Sequence, residues 1–324
     1  MPFPFMIGKT VAAANAGAQK VKQASDAAKE LQRQHNETVQ MLTQANRLFL
    51  MDMDRLGGKE LRIIRSFETF SDAFEQLKSR PVFRNAGASE LPEYNAEEVK
   101  QLYGGAGCLL AAMDCAPAGT AGSFAAAGVA SAAALSFNAQ ATGKALTDKT
   151  LIALGGGGAV AGYGAAVGAA VLGATTGGIG LLIGGVVYKF AESRLSAKMT
   201  ETCKELEKEK EQARQICSYM QRLQRVANRY WRSIDKVEAI YRKHLQEFTK
   251  MVDVEHHTDW NSLTTREKRL VENTVLLVNL LHKMCNVKLV EKTEETDGLN
   301  TIDTAGVENM IRQADSVSGR LPTL

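Results

Sequence analysis

Apolar side chains recur every three to four residues along residues 11–56, which predicts a long amphipathic helix with a coiled-coil-like seam. The period breaks at Gly57 and Gly58, and two adjacent glycines are expected to end this helix. A second helix with its own apolar face should follow and end before Pro81, because the residue before a proline disfavours helical geometry. The pattern therefore predicts N-terminal helices in residues 1–80.

The longest uninterrupted helical period lies in residues 191–256, which contain neither proline nor glycine. Apolar residues keep the three-four step from Leu195 to Tyr241, so one very long helix is predicted from about Phe190 to Val254. This helix is predicted to be the clearest coiled-coil-like element of the chain.

The C-terminal part is predicted to contain a helix followed by a looser end. In residues 257–290, Thr264 and Glu267 have the spacing of a capping box, so a helix should begin there. Residues 291–324 should form an acidic linker, a short helix near 304–316 and a tail. The predicted inward positions of the capped helix are Leu270, Thr274, Leu277, Leu281 and Met284.

These periods predict an all-α fold in which long coiled-coil-like helices flank a Gly/Ala-rich apolar helical hairpin. The composition agrees, because aromatic residues make up 6% of the chain and proline occurs 6 times, which disfavours a β-sandwich. The hairpin is assigned to residues 104–190, after a loop and lead-in at residues 81–103. The mean hydropathy of −0.17 fits a mostly polar body with one membrane-competent region.

The predicted hairpin contains two long stretches without Asp, Glu, Lys or Arg. The first stretch runs from Cys115 to Gly143, and the second runs from Thr150 to Tyr188. Each is longer than the roughly 20 residues that a helix needs to cross the hydrocarbon core of a bilayer. The second stretch contains more large apolar residues, so it is the better candidate for insertion.

Glycines four residues apart recur in the second stretch and allow helix backbones to approach closely. In lipid, where burying leucine gains little over acyl chains, such packing drives helix association. The same glycines weaken a helix in water, because each costs about 1 kcal/mol relative to alanine. The stretch is therefore a candidate two-state element. The four pairs are Gly158 and Gly162, Gly164 and Gly168, Gly173 and Gly177, and Gly180 and Gly184.

Two other interpretations of the Gly/Ala-rich region stay open. Small residues also permit tight packing in water, so the hairpin could be buried permanently against the long helices of a soluble bundle. A low-complexity linker is a further alternative, although Leu, Ile and Val are frequent for a linker. The uncharged stretches favour insertion into a bilayer in some state.

Basic residues on the long helix share one face at intervals of three and four. Tyr219, Tyr230 and Trp231 lie close to them in sequence. Arginine beside aromatic rings suits the phosphates and stacked bases of an oligonucleotide, or lipid headgroups. The alternative is a solvated face paired with Glu or Asp of a neighbouring helix. The basic residues are Arg222, Arg225, Arg229, Arg232 and Lys236.

The remaining candidate motifs do not favour catalysis, a cofactor or a resident metal. The 5 cysteines form no CxxC motif, and their odd number argues against a disulfide framework. His256 and His257 are adjacent and would point to different faces of a helix, so we expect them in a helix-end loop. Gly8-Lys9-Thr10 lacks the glycine and the strand of a phosphate-binding loop. The sequence contains no known catalytic motif, so an enzyme is not expected. The N-terminal residues do not have the pattern of a secretory signal peptide.

The stretch from Ala118 to Val187 resembles a Gly/Ala hairpin that recurs in bacterial proteins between long charged helices. In architecture, the chain resembles the membrane effector of Hailong-type anti-phage systems. This resemblance rests on the hairpin and the order of the helices. It implies a homo-oligomeric, channel-like effector in the bacterial inner membrane, with a cytoplasmic helical body. Helical pore-forming toxins of the haemolysin E type are a second analogue.

The resemblance to Hailong-type effectors also implies a mode of regulation. A short DNA oligomer, made by a partner nucleotidyltransferase, would hold the channel closed, and its loss during infection would depolarise the membrane. The resemblance identifies no ligand-binding residues, so the basic face of the long helix is inferred from the sequence itself. The rival hypotheses are a soluble coiled-coil scaffold or adaptor with a packed Gly/Ala hairpin, and a nucleic-acid-binding structural protein.

Overall fold

The computed structural model describes residues 5–83, 91, 93–113, 120–141, 195–291 and 301–321. Within these ranges the fold is all-α, as predicted, with one pair of two-residue strands. The coiled-coil character of the long helices stays a prediction. The elements are α1 (Phe5–Glu75), α2 (Ala96–Met113), α3 (Thr120–Ala127), α4 (Val129–Ala141), α5 (Leu195–Thr249), a π-helical turn (Lys250–Val254), α6 (Thr265–Cys285), β1 (Val290–Glu291), β2 (Thr301–Ile302) and α7 (Thr304–Arg320).

The chain divides into two compact units, which we describe separately. Unit 1 contains α1 up to Asn46 and α5 up to Tyr219. Unit 2 contains α1 from Arg47 and α5 from Met220, together with α2, α3, α4, α6, the two strands and α7. All five basic residues of the predicted stripe on α5 therefore belong to unit 2.

In unit 1, the seam of α1 includes two buried polar residues, His35 and Thr38, at the positions where the sequence pattern is weakest. The Thr38 hydroxyl donates to the backbone carbonyl of Gln34 at 2.9 Å, so its burial leaves no unpaired donor. The side chain of Gln34 also accepts a hydrogen bond from Lys210 Nζ of α5 at 2.7 Å. Polar contacts thus supplement the apolar seam between the two helices here.

The expected helix break at Gly57 and Gly58 is wrong, because α1 continues through both residues without interruption. A Cβ on Gly57 would lie 2.5 Å from the carbonyl carbon of Ala121 in α3. A Cβ on Gly122 would lie 2.5 Å from the Cβ of Met53 in α1. The glycines therefore allow a close helix crossing, and tertiary packing outweighs their low helix propensity of about 1 kcal/mol each.

In unit 2, α1 and α5 run parallel to each other. Asp52 of α1 accepts a hydrogen bond from Asn228 of α5 at 3.2 Å. Further along both helices, the rings of Phe67 and Tyr241 meet edge to face with centroids 6.0 Å apart. Because the contacts advance in the same direction on both helices, the chain has to return between them. The segments α2, α3 and α4 lie in this long connection.

Helix α6 begins at the predicted capping box. The Glu267 backbone N–H donates to Thr264 Oγ1 at 3.3 Å, and the Thr264 N–H donates to Glu267 Oε2 at 2.7 Å. The inward face of α6 completes the core of unit 2, where the Tyr230 hydroxyl donates to the Met284 carbonyl at 2.6 Å. All five predicted inward positions are buried, namely Leu270, Thr274, Leu277, Leu281 and Met284.

Helix α2 begins at Ala96, within the stretch predicted as loop and lead-in, residues 81–103, and it continues to Met113. Asn95 acts as the N-cap, since its Oδ1 accepts the backbone N–H groups of Glu97 at 3.1 Å and Glu98 at 3.3 Å. The two glutamates also interact favourably with the positive end of the helix dipole. An Asn followed by acidic residues was the signal that the turn-rich composition obscured.

The first uncharged stretch forms packed helices where it is described, in α3 and α4. Helix α2 packs against α4 where a Cβ on Gly105 would lie 2.5 Å from the carbonyl carbon of Ala133. Phe124 of α3 is fully buried. Gly128 separates α3 from α4 with a φ of +95°, a conformation that side-chain-bearing residues rarely adopt. Close glycine contacts thus build one layer of unit 2.

The C-terminal residues of unit 2 contain a feature that the sequence did not predict. Strands β1 and β2 pair antiparallel, with Val290 opposite Ile302. A strand of two residues leaves no alternation to detect, so periodicity alone could not find it. The last helix ends at Arg320, about one turn beyond the predicted range of 304–316.

Within the described ranges, no helix combines the length and apolar character needed to cross a membrane. The second uncharged stretch, Thr150 to Tyr188, lies outside the described residues. The predicted glycine pairs, from Gly158 to Gly184, lie outside them too. The membrane prediction for this stretch therefore stays a prediction.

Candidate anion-binding surface

The five basic side chains predicted to share a face of α5 are all exposed. We call Arg222, Arg225, Arg229, Arg232 and Lys236 the basic surface. The apolar seam of the same helix is buried in unit 2, with Leu223, Tyr230 and Ile234 at 0% exposure. A helix of 3.6 residues per turn separates the two sets, so the core positions the helix while the cations stay in water.

Two members of the basic surface already have acidic partners on α7. Arg229 pairs with Glu308 through both guanidinium terminal nitrogens, one of them at 2.9 Å. Lys236 Nζ lies 4.0 Å from Asp315 Oδ1. For these two residues, the alternative of a face paired with a neighbouring helix holds. Bidentate arginine pairs are stronger than single contacts, although exposure to water weakens both pairs.

The other three members, Arg222, Arg225 and Arg232, are exposed and have no acidic partner among the described residues. Guanidinium groups present several N–H donors in a plane and bind phosphate oxygens in pairs. Three such groups on one helix face, without a carboxylate to neutralise them, form a positive surface. This part of α5 has the chemistry expected for a polyanion.

The sequence suggested that aromatic residues near the basic surface could stack on bases, but in the structure these rings are not available for stacking. Tyr219 and Tyr230 are buried, at 3% and 0% exposure. The Trp231 ring is half-buried and lies under the guanidinium of Arg55, 3.8 Å from the ring centroid. Phosphate contacts, and not stacking on these rings, are therefore the mode of binding that the geometry allows.

On the α1 side of α5, an ion-pair network fixes the helix that carries the basic surface. Lys59 pairs with both Asp235 and Glu238. Glu238 also accepts from the Arg242 Nε at 2.8 Å, one turn further along α5. Lys59 and Glu238 have side chains only 13% and 9% exposed, so this network is screened less than the pairs on the basic surface.

A fully buried carboxyl group, Glu60, lies next to this network and was not singled out by sequence reasoning. It is 1% exposed, and its Oε2 has no hydrogen-bond partner among the described residues. Burial raises the pKa of the Glu60 carboxyl well above its ordinary value of 4.5. Its neighbours include the thiol of Cys285, which lies 4.0 Å from the Glu60 backbone carbonyl. Desolvation therefore favours the protonated, neutral acid.

The two adjacent histidines lie in a loop after the π-helical turn, as predicted. The structure brings two glutamates close to His257, since Glu255, His257 and Glu267 place potential ligand atoms within 4.8 Å of one another. Each group already has a partner, because His257 Nδ1 lies 2.6 Å from Glu267 and Glu255 lies 3.1 Å from Lys250. The cluster therefore has a structural explanation as an extension of the α6 capping box.

Comparison with known proteins adds no assignment to these observations. The chain matches no protein-family model, no curated protein and no solved structure. The features of this chain that bear on function are therefore the basic surface, the packed Gly/Ala layer and the uncharged sequence from Thr150 to Tyr188.

Proposed function

We propose that the chain is a regulated membrane-permeabilising protein in which residues 150–188 enter the bilayer and the helical body controls this step. The observation that carries the proposal is the absence of any charged residue from Thr150 to Tyr188. Such a stretch exceeds the roughly 20 residues that span the hydrocarbon core. Its repeated glycine pairs favour association of helices in lipid.

The packing of the first uncharged stretch narrows the proposal to the second one. Residues of α3 and α4 are buried against α1 and α2 through contacts at Gly57 and Gly105. Moving them into lipid would expose the cores that they cover. The second stretch is thus the better candidate for insertion, and the α2–α4 layer is its anchor on the N-terminal side.

The basic surface is the proposed regulatory site. Its three exposed arginines have no acidic partner in the part of the chain that the structure describes, and they suit the phosphates of a short single-stranded oligonucleotide. Following the resemblance to Hailong-type effectors, we propose that a short DNA oligomer from a partner nucleotidyltransferase holds a homo-oligomer closed. Loss of the ligand would then open the pore in the bacterial inner membrane, with the helical body in the cytoplasm.

A soluble coiled-coil scaffold or adaptor is the second candidate function. It is favoured by one observation, the tight packing of the first Gly/Ala-rich stretch against Gly57 and Gly105 inside unit 2. If residues 150–188 pack in the same way, the whole hairpin is part of a bundle and never meets lipid. The two candidates differ in where the protein is found in the cell.

Membrane fractionation with carbonate extraction, together with a membrane-potential dye, tests the proposal in bacteria that express the chain. We expect the protein to stay in the extracted membranes and the cells to depolarise. Gly164→Leu with Gly168→Leu should block close packing and abolish depolarisation. The matched control, Ala165→Leu with Ala169→Leu, places the same two leucine side chains one position along and should still depolarise. A protein released by carbonate, in cells with normal polarity, would favour the scaffold.

A further inference from the structure

The acidic residues of α7 match the basic surface in spacing. Glu308 and Asp315 are the only acidic residues of α7 and lie seven positions apart. Arg229 and Lys236, their partners on α5, are also seven positions apart. Seven residues make about two helical turns, so each pair of residues shares one face of its helix. Two helices with complementary charges therefore meet in register along part of the basic surface.

The position of α7 does not depend on these ion pairs. Its opposite side is buried in the core of unit 2, at Val307, Met310 and Ala314. Its N-terminus is capped by Asp303, whose Oδ1 accepts the Gly306 N–H at 2.8 Å. Apolar burial and a helix cap stabilise the helix more than exposed ion pairs do. The carboxylates of Glu308 and Asp315 therefore contribute little to the stability of α7.

We propose that α7 competes with an anionic ligand for the basic surface. One part of this surface is open to the ligand, and the other part is guarded, because acidic residues of α7 already bind it. This inference rests on the proposed function, in which the basic surface binds an oligonucleotide. The open part is Arg222, Arg225 and Arg232. The guarded part is Arg229 and Lys236, which Glu308 and Asp315 neutralise until the phosphates of a ligand displace them.

This arrangement sets the affinity with which the surface holds a ligand. A ligand contacts the three open cations directly, and it gains the other two only by displacing both carboxylates. The competition lowers affinity by about two- to five-fold for each exposed pair. It also limits the number of cations that exchange counter-ions, and this number sets the salt dependence of binding.

The test measures binding of a fluorescent single-stranded oligothymidylate to the full-length chain by anisotropy, over a range of salt concentrations. Glu308→Gln with Asp315→Asn should tighten binding by about five-fold or more. It should also steepen the slope of log affinity against log salt by about 1.4, because two more cations contact phosphates. The control, Glu247→Gln with Glu272→Gln, removes the same amount of charge from two exposed positions. Neither glutamate forms an ion pair with a described basic residue, so this control should leave the slope unchanged.

A double-mutant cycle on Arg229 gives the sharper readout. Arg229→Gln should change binding little when Glu308 and Asp315 are present, because this arginine is already neutralised. In the Glu308→Gln, Asp315→Asn background, the same change should remove about half of the gain in slope. Additive effects of the two sets of substitutions would overturn the competition.

The possible outcomes separate this inference from the proposed function. If the wild type binds through Arg225 and Arg232 but the α7 variant has the same affinity and slope, the competition is wrong and the regulatory site stands. If the control gains as much as the variant, general charge explains the gain and the competition is wrong. If neither the wild type nor any variant binds the oligonucleotide, both the competition and the proposed regulatory site are wrong. Gain of binding only to phosphatidylglycerol vesicles would also overturn the inference.

Discussion

Gly57 of α1 lies directly against the backbone of Ala121 in α3, at a distance that leaves no space for a side chain. A Cβ on Gly57 would lie 2.5 Å from the Ala121 carbonyl carbon. This contact joins the first uncharged stretch to α1, the longest of the described helices. It also explains why a pair of glycines occurs inside a helix, where alanine would be favoured by about 1 kcal/mol.

Gly57→Ala should destabilise unit 2 by about 3 kcal/mol, because the added methyl group meets backbone atoms that cannot rotate away. Denaturant unfolding monitored by circular dichroism measures this change. Gly58→Ala is the matched control, since a Cβ there meets only the end of the Arg62 side chain at 3.4 Å. This control should stabilise the protein by about 0.5–1 kcal/mol. Equal effects of the two substitutions would show that Gly57 is not at a close crossing.

Gly105→Ala should separate α2 from α4, because its Cβ would lie 2.5 Å from the Ala133 carbonyl carbon. We expect a loss of about 1–3 kcal/mol and faster hydrogen exchange of the amides in α4. Gly107→Ala serves as the comparison, because its nearest neighbour is the flexible guanidinium of Arg65 at 3.3 Å. Slow exchange of α4 in both variants would contradict this account of the α2–α4 contact.

Those elements with long and regular periods could be predicted from the sequence. The capping box at Thr264 and Glu267 and the apolar face of α6 are confirmed, since local spacing determines both. The passage of α1 through Gly57 could not be predicted, because it depends on a contact with Ala121, 64 positions along the chain. The parallel course of α1 and α5 has the same long-range origin, and neither helix alone encodes it.

The candidate site was predictable in its cations and not in their surroundings. The solvent exposure of the five basic side chains follows from their spacing relative to the apolar seam of α5. The burial of Tyr230 also follows from that seam, because Tyr230 occupies one of its positions, and a buried ring is not available to stack on a base. The partner of Arg229, Glu308, lies on a different helix, so a pattern within α5 could not reveal it.

Glu60 should make the stability of unit 2 fall as the pH rises. Burial raises its pKa in the folded state, so the folded protein holds a proton that the unfolded chain has released above about pH 4.5. The favourable contribution is complete below the unfolded pKa and is lost as the pH rises towards the folded pKa. The free energy of unfolding should therefore decline by up to about 1.4 kcal/mol per pH unit over this window.

Glu60→Gln should remove this decline, because the amide carries no titrating proton. Urea unfolding at a series of pH values between about 5 and 8 measures the difference in slope. The exposed Glu272→Gln should keep the wild-type slope. An unchanged slope in Glu60→Gln would mean that another group causes the pH dependence.

If residues 150–188 permeabilise a bilayer under the control of an anionic ligand, the purified full-length chain should release dye from vesicles of phosphatidylethanolamine and phosphatidylglycerol. The account predicts release by the wild type, no release by Gly164→Leu with Gly168→Leu, and suppression of release by a saturating short DNA oligomer. Vesicles that stay intact with the wild type, with and without the oligomer, would contradict it.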